Sequence, residues 1–268
     1  MLIKMKINTF LFLLALSFAL SLSVACSNSS NTTKAKDGYN QQNVDILFKK
    51  AQNLFDQVNP KEAYKIFMQL ADQGYPKAQN ALGNGYQHGF WGDIDLKKAE
   101  YWYQKAADQN YFGGMHNLGI LNFSLGKYQQ ALPYFEKAAS LDYADSINML
   151  GVYYSEGIVF DQDYKKALEY FDKALDVDKN NASAQFNVGQ AYYYGHGVEK
   201  NYNKAFAWYV KAADQDYSLA QIQLAEMYFS GKAVPKNVKK AIEIIKPLAE
   251  LGDPKAQENL KWYIDHQS

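Results

Sequence analysis

Apolar and small residues recur along the chain at helical spacing. Ala78, Leu82 and Tyr86 fall at i, i+4 and i+8, one face of a 3.6-residue helix. A second stripe follows, with Ala99, Trp102/Tyr103 and Ala106 at i, i+3/i+4 and i+7. The pair of stripes then returns. Leu82, Gly83 and Tyr86 recur as Leu150, Gly151 and Tyr154, and as Val188, Gly189 and Tyr192. Degraded copies stand at Leu224, Ala225 and Tyr228, and at Leu118 and Gly119, where Asn122 fills the tyrosine slot. The second stripe returns around Lys166-Ala167, Lys204-Ala205 and Lys240-Ala241. Ala63, Ala99, Ala131, Ala167, Ala205 and Ala241 are spaced 36, 32, 36, 38 and 36 residues apart. A period of that size predicts a solenoid of helix pairs.

The polar and special residues fit the same scheme. Gly83, Gly119, Gly151 and Gly189 interrupt the first helices, where glycine costs up to ~1 kcal/mol against alanine. Their recurrence predicts a close helix–helix approach that leaves no room for a Cβ. Gly89, Gly92, Gly157, Gly195, Gly197 and Gly231 cluster between the helices and are expected to end the first one. A unit of this kind carries an apolar face on each side, so it is stable only when stacked. Ala256, Leu260 and Trp262-Tyr263 begin one more first helix, predicted to cap the array, and Pro247 is expected to bend or shorten the last second helix.

With these residues in hand, the chain resembles the Sel1-like repeat, a relative of the tetratricopeptide repeat. The copy with Ala184, Val188, Gly189, Tyr192, Gly195, Gly197, Val198, Lys204, Ala205, Trp208, Tyr209 and Lys211-Ala212-Ala213 is nearly complete. The unit from Gly114 has a short loop, Ser124-Leu125-Gly126-Lys127, and is similar to a plain tetratricopeptide unit; the segment around Ala51, Leu54, Ala63 and Phe67 reads the same way. The resemblance covers roughly residues 43–265. It implies an all-α fold, a right-handed solenoid of stacked antiparallel helix pairs, and a scaffold that binds a partner. Cysteine-rich members linked with penicillin binding are a poor guide, because Cys26 is the chain's one cysteine.

The N-terminus belongs to a different scheme. Lys4 and Lys6 precede an apolar run from Ile7 to Leu22, and Ser23-Val24-Ala25 presents small residues before Cys26. This is the pattern of a secretory signal over residues 1–25. Leu22-Ser23-Val24-Ala25-Cys26 resembles a bacterial lipobox, with Ser23 where leucine is usual, and implies lipidation of Cys26; plain secretion and an uncleaved anchor helix are the alternatives. Residues 26–42 read as a polar tether and 43–268 as the solenoid. The expected location is a bacterial cell envelope, lipid-anchored at the outer membrane and facing the periplasm.

Charge narrows the partners. Residues 1–25 hold two of the 28 basic residues and none of the 28 acids, so the rest of the chain carries about −2. Every basic residue is lysine, whereas bidentate recognition of phosphate or guanine normally uses arginine. Nucleic acid is therefore not expected as a partner. The histidines, His88, His116, His196 and His266, are read as loop or surface residues and not as metal ligands. Asp93, Asp95, Asp161 and Asp163 precede second helices and are read as caps. No motif for nucleophilic, metal or phosphate chemistry stands in the required context, so neither an enzyme nor a cofactor is expected.

What remains is a groove. By the register of related tetratricopeptide units, first helices line the concave face with a polar, asparagine-rich first half containing Asn80, Asn84 and Asn148. An apolar stripe follows it. The candidate partner-binding residues are Asn84, Phe123, Phe186, Gln190, Tyr193, Tyr194, Ile222 and Phe229. Inter-unit packing is the competing use for the same aromatics. The expected function is a non-catalytic adaptor holding a protein or peptide in an envelope complex; alternatives are a regulator of a cell-wall enzyme or a carbohydrate binder.

Overall fold

The computed structural model describes residues 41–56 and 59–267. The proposed signal, Cys26 and nearly all of the tether lie outside the described residues. The described residues hold α-helices and no strand. They divide between Ser146 and Ile147 into two compact units. The N-terminal unit holds α1 (Gln41–Asp56), α2 (Pro60–Asp72), α3 (Pro76–His88), α4 (Leu96–Asp108), α5 (Phe112–Ser124), α6 (Tyr128–Ala139) and the first turn of α7 (Ala144–Glu156). The C-terminal unit holds the rest of α7, then α8 (Tyr164–Val177), α9 (Ala182–Tyr194), α10 (Tyr202–Ala213), α11 (Ser218–Ser230), α12 (Val238–Glu250) and α13 (Pro254–Asp265). Consecutive helices pack against each other from α1 to α6 and again from α8 to α13. The fold class is an all-α solenoid of helix pairs.

Each unit is held by alternating small and aromatic residues. The recurring alanines Ala63, Ala99, Ala131, Ala167, Ala205 and Ala241 are fully or almost fully buried. The glycine prediction acquires a specific cause. A Cβ built on Gly83, Gly119, Gly151 or Gly189 would lie 2.5 Å from the ring of Tyr103, 2.7 Å from Phe135, 2.5 Å from Phe171 or 2.6 Å from Tyr209, respectively. Each glycine is thus the seat for the aromatic ring of the second helix that follows it. At the end of α9, Gly195 adopts the left-handed conformation (φ +78°), which a side chain would strain.

Capping explains where the second helices start. Asp95 and Asp163 accept hydrogen bonds from the backbone N–H of Lys98 and Lys166, as expected, and Asn201 and Asn237 do the same for Lys204 and Lys240. Asp93 and Asp161 are not the capping residues. Tyrosine ring faces are covered as well: the lysines of the K-A pairs, Lys98, Lys166 and Lys204, lie over the rings of Tyr86, Tyr154 and Tyr192, at 4.2–5.2 Å.

One expectation fails in part and another in full. Pro247 does not shorten its helix: α12 runs thirteen residues, as many as α11. The helix continues past the proline, the Leu251 N–H bonding to the Pro247 carbonyl at 3.1 Å, although the ring removes the hydrogen bond that residue 247 would donate. His116 is not at the surface. It is buried in the N-terminal unit between Phe135 and Tyr143, with Nδ1 2.9 Å from Ser146 Oγ.

Candidate functional site

The first helices carry the positions predicted to face a partner, and the structure divides them by use. In the N-terminal unit the asparagines bond to one another. Asn117 donates from Nδ2 to the Oδ1 atoms of Asn80 (2.8 Å) and Asn84 (3.1 Å). The Tyr103 hydroxyl lies 2.6 Å from Asn84 Oδ1 and 2.8 Å from Gln87 Oε1, its one proton having both oxygens as acceptors within reach. Asn84 is therefore half-buried and committed. Phe123 is buried, with its ring 5.0 Å from that of Tyr128.

In the C-terminal unit an equivalent rung runs from Asn187 Nδ2 to Asn148 Oδ1 at 2.8 Å. Phe186 and Ile222 are buried: Phe186 lies against Tyr209 (5.6 Å) and Tyr217 (5.5 Å), and Ile222 packs with Ala225, Ala241 and Ile245. The open apolar stripe expected there is not open at Phe123, Phe186 or Ile222, because a first helix in a stack is covered by a second helix and by the next first helix. Phe229 is half-buried and stacks on Tyr263 at 4.5 Å. Tyr263 in turn donates to Glu226 Oε2 at 3.1 Å.

The accessible remainder is compact. Tyr193 and Tyr194 end α9 with their rings edge to face at 4.8 Å: Tyr193 turns inward to within 5.1 Å of the Tyr202 ring, while Tyr194, stacked on His196 at 5.3 Å, stays 48% exposed. Gln190, one turn earlier, is half-buried and its amide hydrogen-bonds nothing among the described residues. Lys232 completes the group. Gly231 ends α11 in the left-handed conformation, and the Lys232 N–H bonds back to the Met227 carbonyl at 3.0 Å. That turn helps bring its Nζ to 2.6 Å from the Tyr193 hydroxyl, over the rings of Tyr193 and Tyr202. The hydrogen bond to Tyr193 raises the Lys232 pKa, so the ammonium stays charged. Burial, with Tyr193 and Glu226 nearby, raises the Tyr194 hydroxyl.

Beneath this face lies an anomaly. Tyr209 is fully buried and its hydroxyl has no hydrogen-bond partner. An unsatisfied buried hydroxyl costs about 1–3 kcal/mol. Its counterpart Tyr103 bonds to Asn84 and Gln87, the residues that precede it by 19 and 16 positions. The same offsets from Tyr209 reach Gln190, which does not bond to it, and Tyr193, whose hydroxyl is engaged by Lys232. Burial pushes the Tyr209 pKa far up, so it remains a neutral donor.

The sequence reading named Gln190, Tyr193 and Tyr194 and missed Lys232 and Tyr209. A usable signal for Lys232 existed: it follows Gly231 as His196 follows Gly195, and His196 stacks on Tyr164 (3.9 Å) as Lys232 covers Tyr202. Also missed was the dipeptide Ala-Gln that opens first helices. Gln79, Gln221 and Gln257 donate to the carbonyls of Ala71, Ala213 and Ala249, tying each first helix to the end of the helix before it.

Among the described residues no group of three or more His, Cys, Asp or Glu could hold a metal ion, and no helix is long and apolar enough to cross a membrane.

Comparison with known proteins agrees with the fold. The family model described as Sel1 repeat matches residues 76–111, 182–217 and 218–253, and that of the tetratricopeptide repeat matches 113–180. The chain contains Sel1 repeats and a tetratricopeptide-repeat segment. Both phenols, Tyr103 and Tyr209, lie in matched Sel1 repeats, and the exposed face spans the second and third of them. Chitin synthase regulatory factor 3 of Schizosaccharomyces pombe is 28% identical over 182 residues, 68% of this chain. The chain spans 16% of that relative's length and 25% of a Sel1-like repeat protein of a mimivirus. Sel1-repeat-containing protein YjcO of Escherichia coli is 27% identical over 197 residues, covering 70% of this chain and 84% of the relative. Among solved structures, a Sel1 repeat protein from Oxalobacter formigenes aligns with a TM-score of 0.62 at 28% identity, covering 80% of this chain and 86% of its own. A protective antigen of uropathogenic Escherichia coli aligns at 0.56 and 32% identity, covering 74% and 43%.

Proposed function

We propose that this chain is a non-catalytic adaptor of a bacterial cell envelope, anchored through a lipid on Cys26, that holds a protein segment against the Tyr194 face of its C-terminal unit. Sel1 and tetratricopeptide repeats are typically protein-interaction scaffolds and generally non-catalytic. The observation that carries the reading is the face itself. Tyr194 offers an exposed aromatic edge, beside an uncommitted amide at Gln190 and an ammonium at Lys232. Tyrosine is among the residue types enriched in interface hot spots. Regulation of an enzyme is one form such binding could take, and the name of the chitin synthase regulatory factor favours keeping it as a second reading.

The test is affinity capture of the full chain from cross-linked cells beside Tyr194→Ala, with Cys26→Ser fractionated in parallel. Tyr194 is the better probe than Tyr193, whose buried ring supports Tyr209. The reading predicts a defined envelope protein recovered with wild type and depleted with Tyr194→Ala, and loss of Cys26→Ser from the membrane fraction. Equal recovery by both chains rejects the face; an unmoved Cys26→Ser rejects the lipid anchor.

A further inference from the structure

The scaffold reading leaves the chemistry of the partner open, and the same face specifies it; that assignment of partner chemistry rests on the scaffold reading. Lys232 presents an ammonium with three donors, of which the Tyr193 hydroxyl takes one. The rings of Tyr193 and Tyr202 hold it from below at 4.9 and 5.6 Å. No carboxylate of the described residues forms an ion pair with it. The nearby acid, Glu226, accepts from Tyr263 instead. Gln190 offers an unused amide, and the Tyr209 hydroxyl below it is buried without a partner.

The N-terminal unit shows how such a hydroxyl is satisfied. There Asn84, at the position of Gln190, turns its carbonyl oxygen toward Tyr103. A carboxamide that presents its oxygen inward presents its NH2 outward. Elsewhere the equivalent second-helix position is taken by Phe67, Phe135, Phe171 or Ile245, which need no partner. A phenol at 209 is therefore costly in the free chain and useful once Gln190 is turned.

We propose that the face of α9 and α11 carrying Gln190, Tyr194 and Lys232 binds an extended acidic peptide segment, Lys232 taking a side-chain carboxylate and Gln190 a backbone carbonyl. Donation from the Gln190 NH2 to that carbonyl turns its oxygen inward, and the Tyr209 hydroxyl gains an acceptor only with the peptide in place. Tyr194 supplies a ring for a neighbouring apolar side chain of the ligand. An extended segment fits because its backbone carbonyls are unpaired, whereas those of a helix are used internally. An acidic one fits because a basic segment would confront an ammonium that forms no ion pair among the described residues, Glu226 nearby being engaged by Tyr263.

The probe is a random decapeptide library displayed on phage and panned against the full chain, followed by anisotropy titration of the enriched peptides. Enrichment in Asp and Glu is expected, with binding weakened about tenfold or more by Lys232→Gln, the loss expected for one charge-assisted hydrogen bond. Tyr209→Phe should weaken binding severalfold while leaving the free chain at least as stable in urea, which separates this effect from unfolding. Peptides without acidic bias, or affinities indifferent to Lys232→Gln, overturn the proposal. If no peptide is enriched while Tyr194→Ala still depletes a captured partner from cells, the acidic-peptide proposal fails and the scaffold reading stands. If both are negative, both fall.

Discussion

Two tyrosines at the same place in two Sel1 repeats differ in what their hydroxyls touch, and that difference is measurable. Tyr103 donates to Asn84 and Gln87, whereas Tyr209 is buried with none. A satisfied buried hydrogen bond contributes about 0.5–1.5 kcal/mol, and an unsatisfied hydroxyl costs about 1–3. Tyr103→Phe is therefore expected to lower stability by about 1 kcal/mol, and Tyr209→Phe to leave it unchanged or raise it by about 1 kcal/mol, in urea unfolding. Equal losses for the two variants would show that Tyr209 finds a partner in solution. None of this was visible in the residue string. Tyr103 and Tyr209 look interchangeable there, and the difference arises because Gln190, in the place of Asn84, does not bond to Tyr209, and the place of Gln87 is taken by a tyrosine that Lys232 occupies.

At the level of the helix pair, much of the structure was legible. The repeat period set the helices, and the recurring glycines announced a contact too close for a Cβ. The reason is steric and local: each glycine receives the aromatic ring of the second helix that follows. Gly189→Ala would place a Cβ 2.6 Å from the Tyr209 ring. Overpacking of that kind is expected to cost about 1–3 kcal/mol, read as a fall in the urea midpoint. An unchanged midpoint would mean that the ring moves aside freely. The faces of the first helices were less legible. A helical register states which residues share a side, but Tyr193 and Tyr194 are neighbours in sequence and opposite in fate, one turned onto Tyr202 and one to solvent. Likewise Asn80, Asn84 and Asn148 look like a polar binding surface in the sequence, whereas the structure spends them on amide rungs between successive first helices.

For the whole molecule, the histidines set a dependence on pH. His88, His116 and His196 all have pKa values lowered from 6.5, each chiefly by burial; Asp145 opposes the effect at His116. The unfolded chain then takes up protons first as the pH falls. Stability is full above about pH 6.5 and declines below it, toward the lowered folded values. Comparing urea midpoints at pH 7.5 and 5.5, wild type should lose more stability than His116→Gln. Identical losses would mean that His116 is protonated as readily folded as unfolded. The adaptor account itself rests on one face, bounded by Gln190, Tyr194 and Lys232. Its most direct test places a photo-reactive amino acid at Tyr194 of the full chain in cells, with the same residue at the exposed Glu243 of α12 as the comparison. The account predicts one discrete protein adduct from position 194 and none from 243. No adduct from 194, or the same adducts from both positions, would contradict it.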